Sequence, residues 1–188
     1  LTVFNSFSTI NGELRIGSAG TLLVDGGDFN DGQVIINRDV VNDGQVVLDQ
    51  STATGDFSTL DINGFVLTNN GTVRAQDTNG AAVQHRLDGS LTNLGTLDVD
   101  HLLEIENNLE VFDSREGTID IDALQTLEVS NGEVLLGSGT VFTGGGILDL
   151  TGNVALKLDT DLTVDNANVD LRFGGSVTTS GDGVVTVA

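Results

Sequence analysis

One feature constrains this chain more than any other. A short apolar–x–apolar triplet recurs along it and returns to the same phase at a nearly constant interval. In the second half the triplets are Leu97/Val99, Leu103/Ile105, Leu109/Val111, Ile119/Ile121, Leu127/Val129, Val134/Leu136, Leu148/Leu150, Val154/Leu156, Leu162/Val164 and Val169/Leu171, with Val141, Val177 and Val184 as single members. Every third one falls at Leu97, Ile119, Val141, Leu162 and Val184, a repeat of about 22 residues. Alternation with period two marks strands that bury one face. The Gly, Asn, Asp and Ser between triplets suit tight turns. Residues 122–136 could be drawn as a helix, but they keep the triplet phase and read as strands.

Three short strands per repeat predict an all-β fold, a single-stranded parallel β-helix (β-solenoid) of about 22 residues per coil, with like faces stacked at the strand spacing. A β-sandwich or Greek-key barrel is the rival, but it needs longer strands with hairpins and does not predict a constant three-strand period. Extrapolation backwards starts earlier coils near Leu14, Val46 and Val73, with a loop, an extra strand or a partial coil between Leu14 and Val46. One solenoid domain over 1–188 is expected, less regular at 1–13, 49–58 and 76–90. The chain starts at Leu1 and ends in the strand-like 181–188, which reads as a piece of a longer polypeptide.

Longer matches reinforce the period: residues 66–75 against 90–99, 30–36 against 42–48, and 95–100 against 117–122. Their shared unit is apolar–x–Asn–x–Gly–Thr/Gln–apolar–x–apolar. Asn30, Asn42, Asn69, Asn93 and Asn131 are assigned to turns and to side-chain ladders between coils. Asn70-Gly-Thr is formally a glycosylation sequon.

Composition removes several function classes. With 28 acidic and 7 basic side chains the net charge is −21, so the chain repels nucleic acid. It has no Cys, hence no disulfide framework and no thiolate chemistry. No apolar run approaches the ~20 residues of a membrane-spanning helix. His85 and His101 lack a metal-ligand partner nearby in sequence, and no Gly-x-Ser-x-Gly is present, so an enzyme is not expected.

The outward positions carry the candidate sites. Glu104, Glu128, Asp149 and Asp170, at spacings of 24, 21 and 21, are expected to stack as a ladder of four carboxylates. Like charges across strands are unfavourable, by about 1 kcal/mol per pair in water. Either solvation and salt compensate them, or a divalent cation does, with calcium as the candidate cofactor. Residues 26–32 and 181–183 look like fragments of calcium-binding glycine-rich repeats, although neither completes the nonapeptide. Arg74 beside Asp98 and Asp120 is the one cluster resembling polysaccharide-lyase chemistry. The absence of Trp and Tyr weighs against a carbohydrate-active surface.

The repeated Leu-Thr-Asn-x-Gly-Thr unit, the Gly/Asn/Asp/Val/Leu bias and the missing Cys resemble the repeats of filamentous-haemagglutinin-like adhesins and autotransporter passenger domains of bacteria. The resemblance covers most of residues 10–188. It implies a right-handed β-helix in an exported, extracellular, rod-like surface protein, with host or cell-surface glycans or proteins as partners and with possible end-to-end self-association of copies. It transfers no individual site residue. The alternatives are a carbohydrate-active β-helix and a calcium-dependent binding module.

Overall fold

A computed structural model describes residues 1–4, 6–27, 31–52, 57–80, 84–108, 110–165 and 167–188. Phe29, Asn30 and Leu109 lie outside the described residues. The chain is an all-β parallel solenoid of about 8 turns of roughly 23 residues. Each coil contributes a strand to each of three faces. The first face holds Thr2–Phe4, Thr21–Gly26, Gln45–Gln50, Thr72–Gln76, Thr96–Val99, Thr118–Ile121 and Val141–Thr143, paired in that order. The second runs through Phe7–Ile10, Gly32–Ile36, Leu103–Glu106 and Val169–Phe173. The third runs through Leu14–Ile16, Val40–Asn42, Val111–Asp113 and Ser176–Ser180. In four coils the second and third strands merge into one bent strand: Ser58–Asn69, His85–Asn93, Thr126–Leu136 and Gly146–Leu158. The bends fall at left-handed or positive-φ positions: Asn63 and Gly64, Gly89, Asn131 and Gly132, and Gly152. Asn131 thus takes the turn conformation expected of it.

The inward columns are mainly apolar, with Ser58 and His85 as buried polar members on the second face. On the first face Leu22, Val46, Val73, Leu97, Ile119 and Phe142 stack in register, and Val34, Leu60, Leu87, Ile105, Val129 and Leu150 face inward on the second. β-Branched and Leu side chains fill such pleated, buried surfaces well. The first-face steps are 24, 27, 24, 22 and 23 residues, so the period is less constant than the sequence suggests.

Several expected positions move. Between Leu14 and Val46, where a loop, an extra strand or a partial coil is expected, lie the strands of a further coil: Leu22 pairs with Val46 on the first face, and Leu14 with Val40 on the third. Phe142 and Val185 point inward where Val141 and Val184 are expected to, and the latter two are 51% and 60% exposed. Two adjacent apolar residues leave the phase open to a one-residue slip, which reverses the face. For the same reason Phe112, not Val111, is fully buried in its coil. In the segments expected to be irregular, Thr2–Phe4 and Phe7–Ile10 are strands, and His85–Asn93 occupies the end of 76–90; residues 53–56 and 81–83 lie outside the described ones.

The Asn-x-Gly repeat has a physical cause at the corner between the third face and the next coil. Asn42, Asn69 and Asn93 are fully buried and stacked. Asn42 Nδ2 donates to Asn69 Oδ1 at 2.7 Å, Asn69 Nδ2 donates to Asn93 Oδ1 at 2.8 Å, and Asn93 Nδ2 donates to Ser114 Oγ at 3.0 Å. The second proton of each amide goes to the carbonyl of Thr72, Thr96 or Thr118. The glycine two residues on is required by crowding: a Cβ at Gly95 would sit 2.1 Å from the Gly71 carbonyl oxygen. A second, exposed ladder joins Asn11, Asn37 and Asn63 on the outside of the second-to-third corner.

Candidate functional site

The second face carries most of the candidate residues. Its central outward column, read coil by coil, is Phe7, Gln33, Thr59, Arg86, Glu104, Glu128, Asp149 and Arg172. Three of the four expected carboxylates therefore stack, and Asp170 does not. It lies opposite Ile147, two residues out of register, and Arg172 stands next to Asp149 in its place. The step from Asp149 to Arg172 is 23 residues where the sequence spacing expects 21. A slip of two keeps every side chain on its own face, so the apolar pattern cannot reveal it.

The ladder is compensated from within the protein. A guanidinium stands in the column at each end. Along the column each carboxylate accepts a hydrogen bond from the following coil: Glu104 from Ser130 Oγ at 3.4 Å, Glu128 from Thr151 Oγ1 at 2.8 Å, and Asp149 from the Gly174 N–H at 3.1 Å. Glu104 also accepts from Gln84 Nε2 at 2.7 Å. Among the described residues no group of three or more His, Asp or Glu side chains is arranged to hold a metal ion.

Arg86 is the hub of the charged part of this face. It hydrogen-bonds Glu106, and its Nε lies 3.1 Å from Asp88 Oδ1 and 3.5 Å from Glu104 Oε2. Asp61, Asp88 and Glu106 form the adjoining column. Burial, with Asp61 and Glu104 adding to it and Arg86 opposing it, raises the Asp88 pKa. Burial together with Asp61 and Asp88 does the same at Glu110.

On the first face Arg74, Asp98 and Asp120 occupy successive rungs, as the sequence predicts. Arg74 is held by Asp100, to which Nε donates at 2.7 Å, and stands 3.5 Å from Asp98. Burial, reinforced by Asp100 and Asp120 against the pull of Arg74, pushes the Asp98 carboxyl up to about 6. A carboxyl whose folded pKa exceeds its ordinary value disfavours the fold once it ionises, so stability falls as pH rises from about 4 to 6. Asp98→Asn is expected to gain on the order of 1 kcal/mol at pH 7, discounted for solvent screening, and nothing at pH 4. Denaturant unfolding at the two pH values checks this.

Among the described residues, Ser58 and His85 form a pair with the look of a nucleophile and its base. Ser58 Oγ and His85 Nδ1 share a 2.6 Å hydrogen bond. Both residues, however, point inward and are fully buried, in a column continued by Leu103 and Leu127. No substrate reaches them. His101 packs edge-on against His85 with ring centres 5.7 Å apart, and burial first, then His101, lowers the His85 pKa to about 4.

Two aromatic residues of the second face pack outside. Phe57 is 46% exposed and Phe7 63%. Their phase relative to the triplets is the available signal, since Phe57 directly precedes the inward Ser58. Compared with models of known families, with curated proteins and with solved structures, the chain matches none.

Proposed function

We propose that this solenoid is a non-catalytic structural and adhesive rod segment of an exported bacterial surface protein. The supporting observation is the ladder system itself. Buried amides, exposed amides and carboxylates each run from coil to coil and are satisfied by the next coil, so the cross-section propagates without a cofactor. About eight rungs at ~4.8 Å give a body near 40 Å long, and the carboxylate faces keep neighbouring rods apart.

Thermal unfolding followed by far-UV circular dichroism tests this reading, with EDTA and with millimolar calcium at matched ionic strength. A self-supporting rod gives a β spectrum and the same single transition in both. A fold that forms only with calcium counts against it and favours a cation-dependent binding module. Adhesion is read separately, by comparing the retention of beads coated with the chain and of albumin-coated beads on a layer of host cells. Equal retention removes the adhesive half of the proposal.

A further inference from the structure

A groove of about 430 Å³ lies on the second face, on the N-terminal side of the carboxylate ladder. Its volume falls in the range of small-ligand sites. The side chains that matter in it are Phe57, Gln33, Thr59, Gln84, Arg86 and Glu104. Phe57 presents a half-exposed ring on this face. Its position is fixed on both sides, because its N–H donates to Asp31 Oδ1 at 2.8 Å and its carbonyl accepts from the Gly32 N–H at 2.9 Å. Phe7, in register with Gln33, is a second exposed ring on this face, outside the groove.

The groups around the ring select the chemistry of a ligand. Gln33, Thr59 and Gln84 each offer both donors and acceptors, which suits hydroxyl groups. The charge of Arg86 is already engaged by Glu106, Asp88 and Glu104. With Asp31, Asp88 and Glu104 also lining the groove, anionic ligands are repelled. An aromatic face beside neutral two-way hydrogen-bonding groups and carboxylate acceptors fits a pyranose ring, whose one side is apolar and whose rim is hydroxylated. The rung spacing of ~4.8 Å is close to the length of one sugar residue.

We propose that this groove binds a neutral oligosaccharide along the solenoid axis, with one pyranose face on Phe57 and its hydroxyls bonded by Gln33, Thr59, Gln84 and the Glu104 carboxylate. The site stands whether or not the chain serves as a rod, since it rests on one face of four successive coils.

The test is a backbone-amide NMR titration of the full chain with cellohexaose, maltohexaose, laminarihexaose and xylohexaose, with oligogalacturonate and hexalysine as charged comparisons. At least one neutral hexasaccharide is expected to bind with a dissociation constant on the order of 1 mM or tighter, with shifts centred on residues 33, 57–59 and 84–86. Phe57→Ala is expected to weaken that binding about tenfold while leaving the melting temperature in place, and Phe57→Trp to retain it. The proposal is overturned if none of the four sugars moves these resonances at roughly 10 mM, if Phe57→Ala binds as tightly as the parent, or if only oligogalacturonate or hexalysine binds.

Discussion

Replacing Asn69 by alanine is expected to cost on the order of 3–5 kcal/mol of folding stability. The side chain is fully buried at the middle of the internal ladder. It accepts from Asn42 Nδ2 and donates to Asn93 Oδ1 and to the Thr96 carbonyl. Removing it leaves the Asn93 Oδ1 and one Nδ2 proton of Asn42 buried without that partner and takes a donor from the part-buried Thr96 carbonyl, at about 1–3 kcal/mol per orphaned buried group, and opens a cavity besides. At about 2–4 °C per kcal/mol for a chain of this size, the melting temperature is expected to fall by about 10 °C. Asn37→Ala, in the exposed ladder, removes bonds of the same kind in contact with water and is expected to cost less than about 0.5 kcal/mol. Calorimetry of the two variants checks the contrast. Equal small losses would mean that the internal ladder does not hold the coils together.

The second large effect is a pH dependence written by His85. Its folded pKa of about 4 lies below its ordinary 6.5, because burial and then His101 disfavour the imidazolium; Asp49 and Asp77, the acids that face it, and the Gln76 backbone oppose this only in part. The unfolded chain therefore binds this proton more readily. The stability that neutral His85 contributes is complete above pH 6.5 and is lost as pH falls towards 4. The loss amounts to about 3 kcal/mol. The double variant His85→Leu/Ser58→Ala removes both partners of the buried hydrogen bond and extends the leucine column of Leu103 and Leu127. Its unfolding free energy is expected to lack this fall, so the gap between variant and parent widens by about 3 kcal/mol between pH 6.5 and 4. Parallel profiles would contradict the assignment. Asp98 titrates in the opposite sense over part of the same range, which is why the difference between the two proteins, not the parent's profile alone, carries the result.

The architecture was legible because two independent signals agree, the period-two alternation within strands and the Asn-x-Gly unit between them. The sequence even indicated the amide ladder, since Asn42, Asn69 and Asn93 share one phase. Register was harder to read. Val141 against Phe142 and Val184 against Val185 are choices between adjacent apolar residues, decided by how the corner before them turns. Asp170 against Arg172 is a two-residue slip, to which alternation is blind. At the candidate sites, Arg74, Asp98 and Asp120 were placed correctly because their coils match closely in sequence. The outward phase of Phe57 follows from Leu60 and Ile62, which point inward, but the sequence marks it weakly because Ser58 stands where later coils hold Leu103 and Leu127. Buried His85 occupies the same column and breaks the apolar pattern of its own coil.

The parallel coil-on-coil register is the central claim, and Asp149 tests it most directly. The chain contains no Cys, so an introduced pair can form only one disulfide. Cα atoms in register are about 4.8 Å apart, within bridging range, while the diagonal neighbour lies at about 7–8 Å. Asp149→Cys/Arg172→Cys is expected to cross-link on mild oxidation, and Asp149→Cys/Asp170→Cys is not, as read by mass spectrometry of the digested, unreduced protein. Cross-linking of the second pair in place of the first would contradict the register, and with it the placement of Arg172 at the end of the carboxylate ladder.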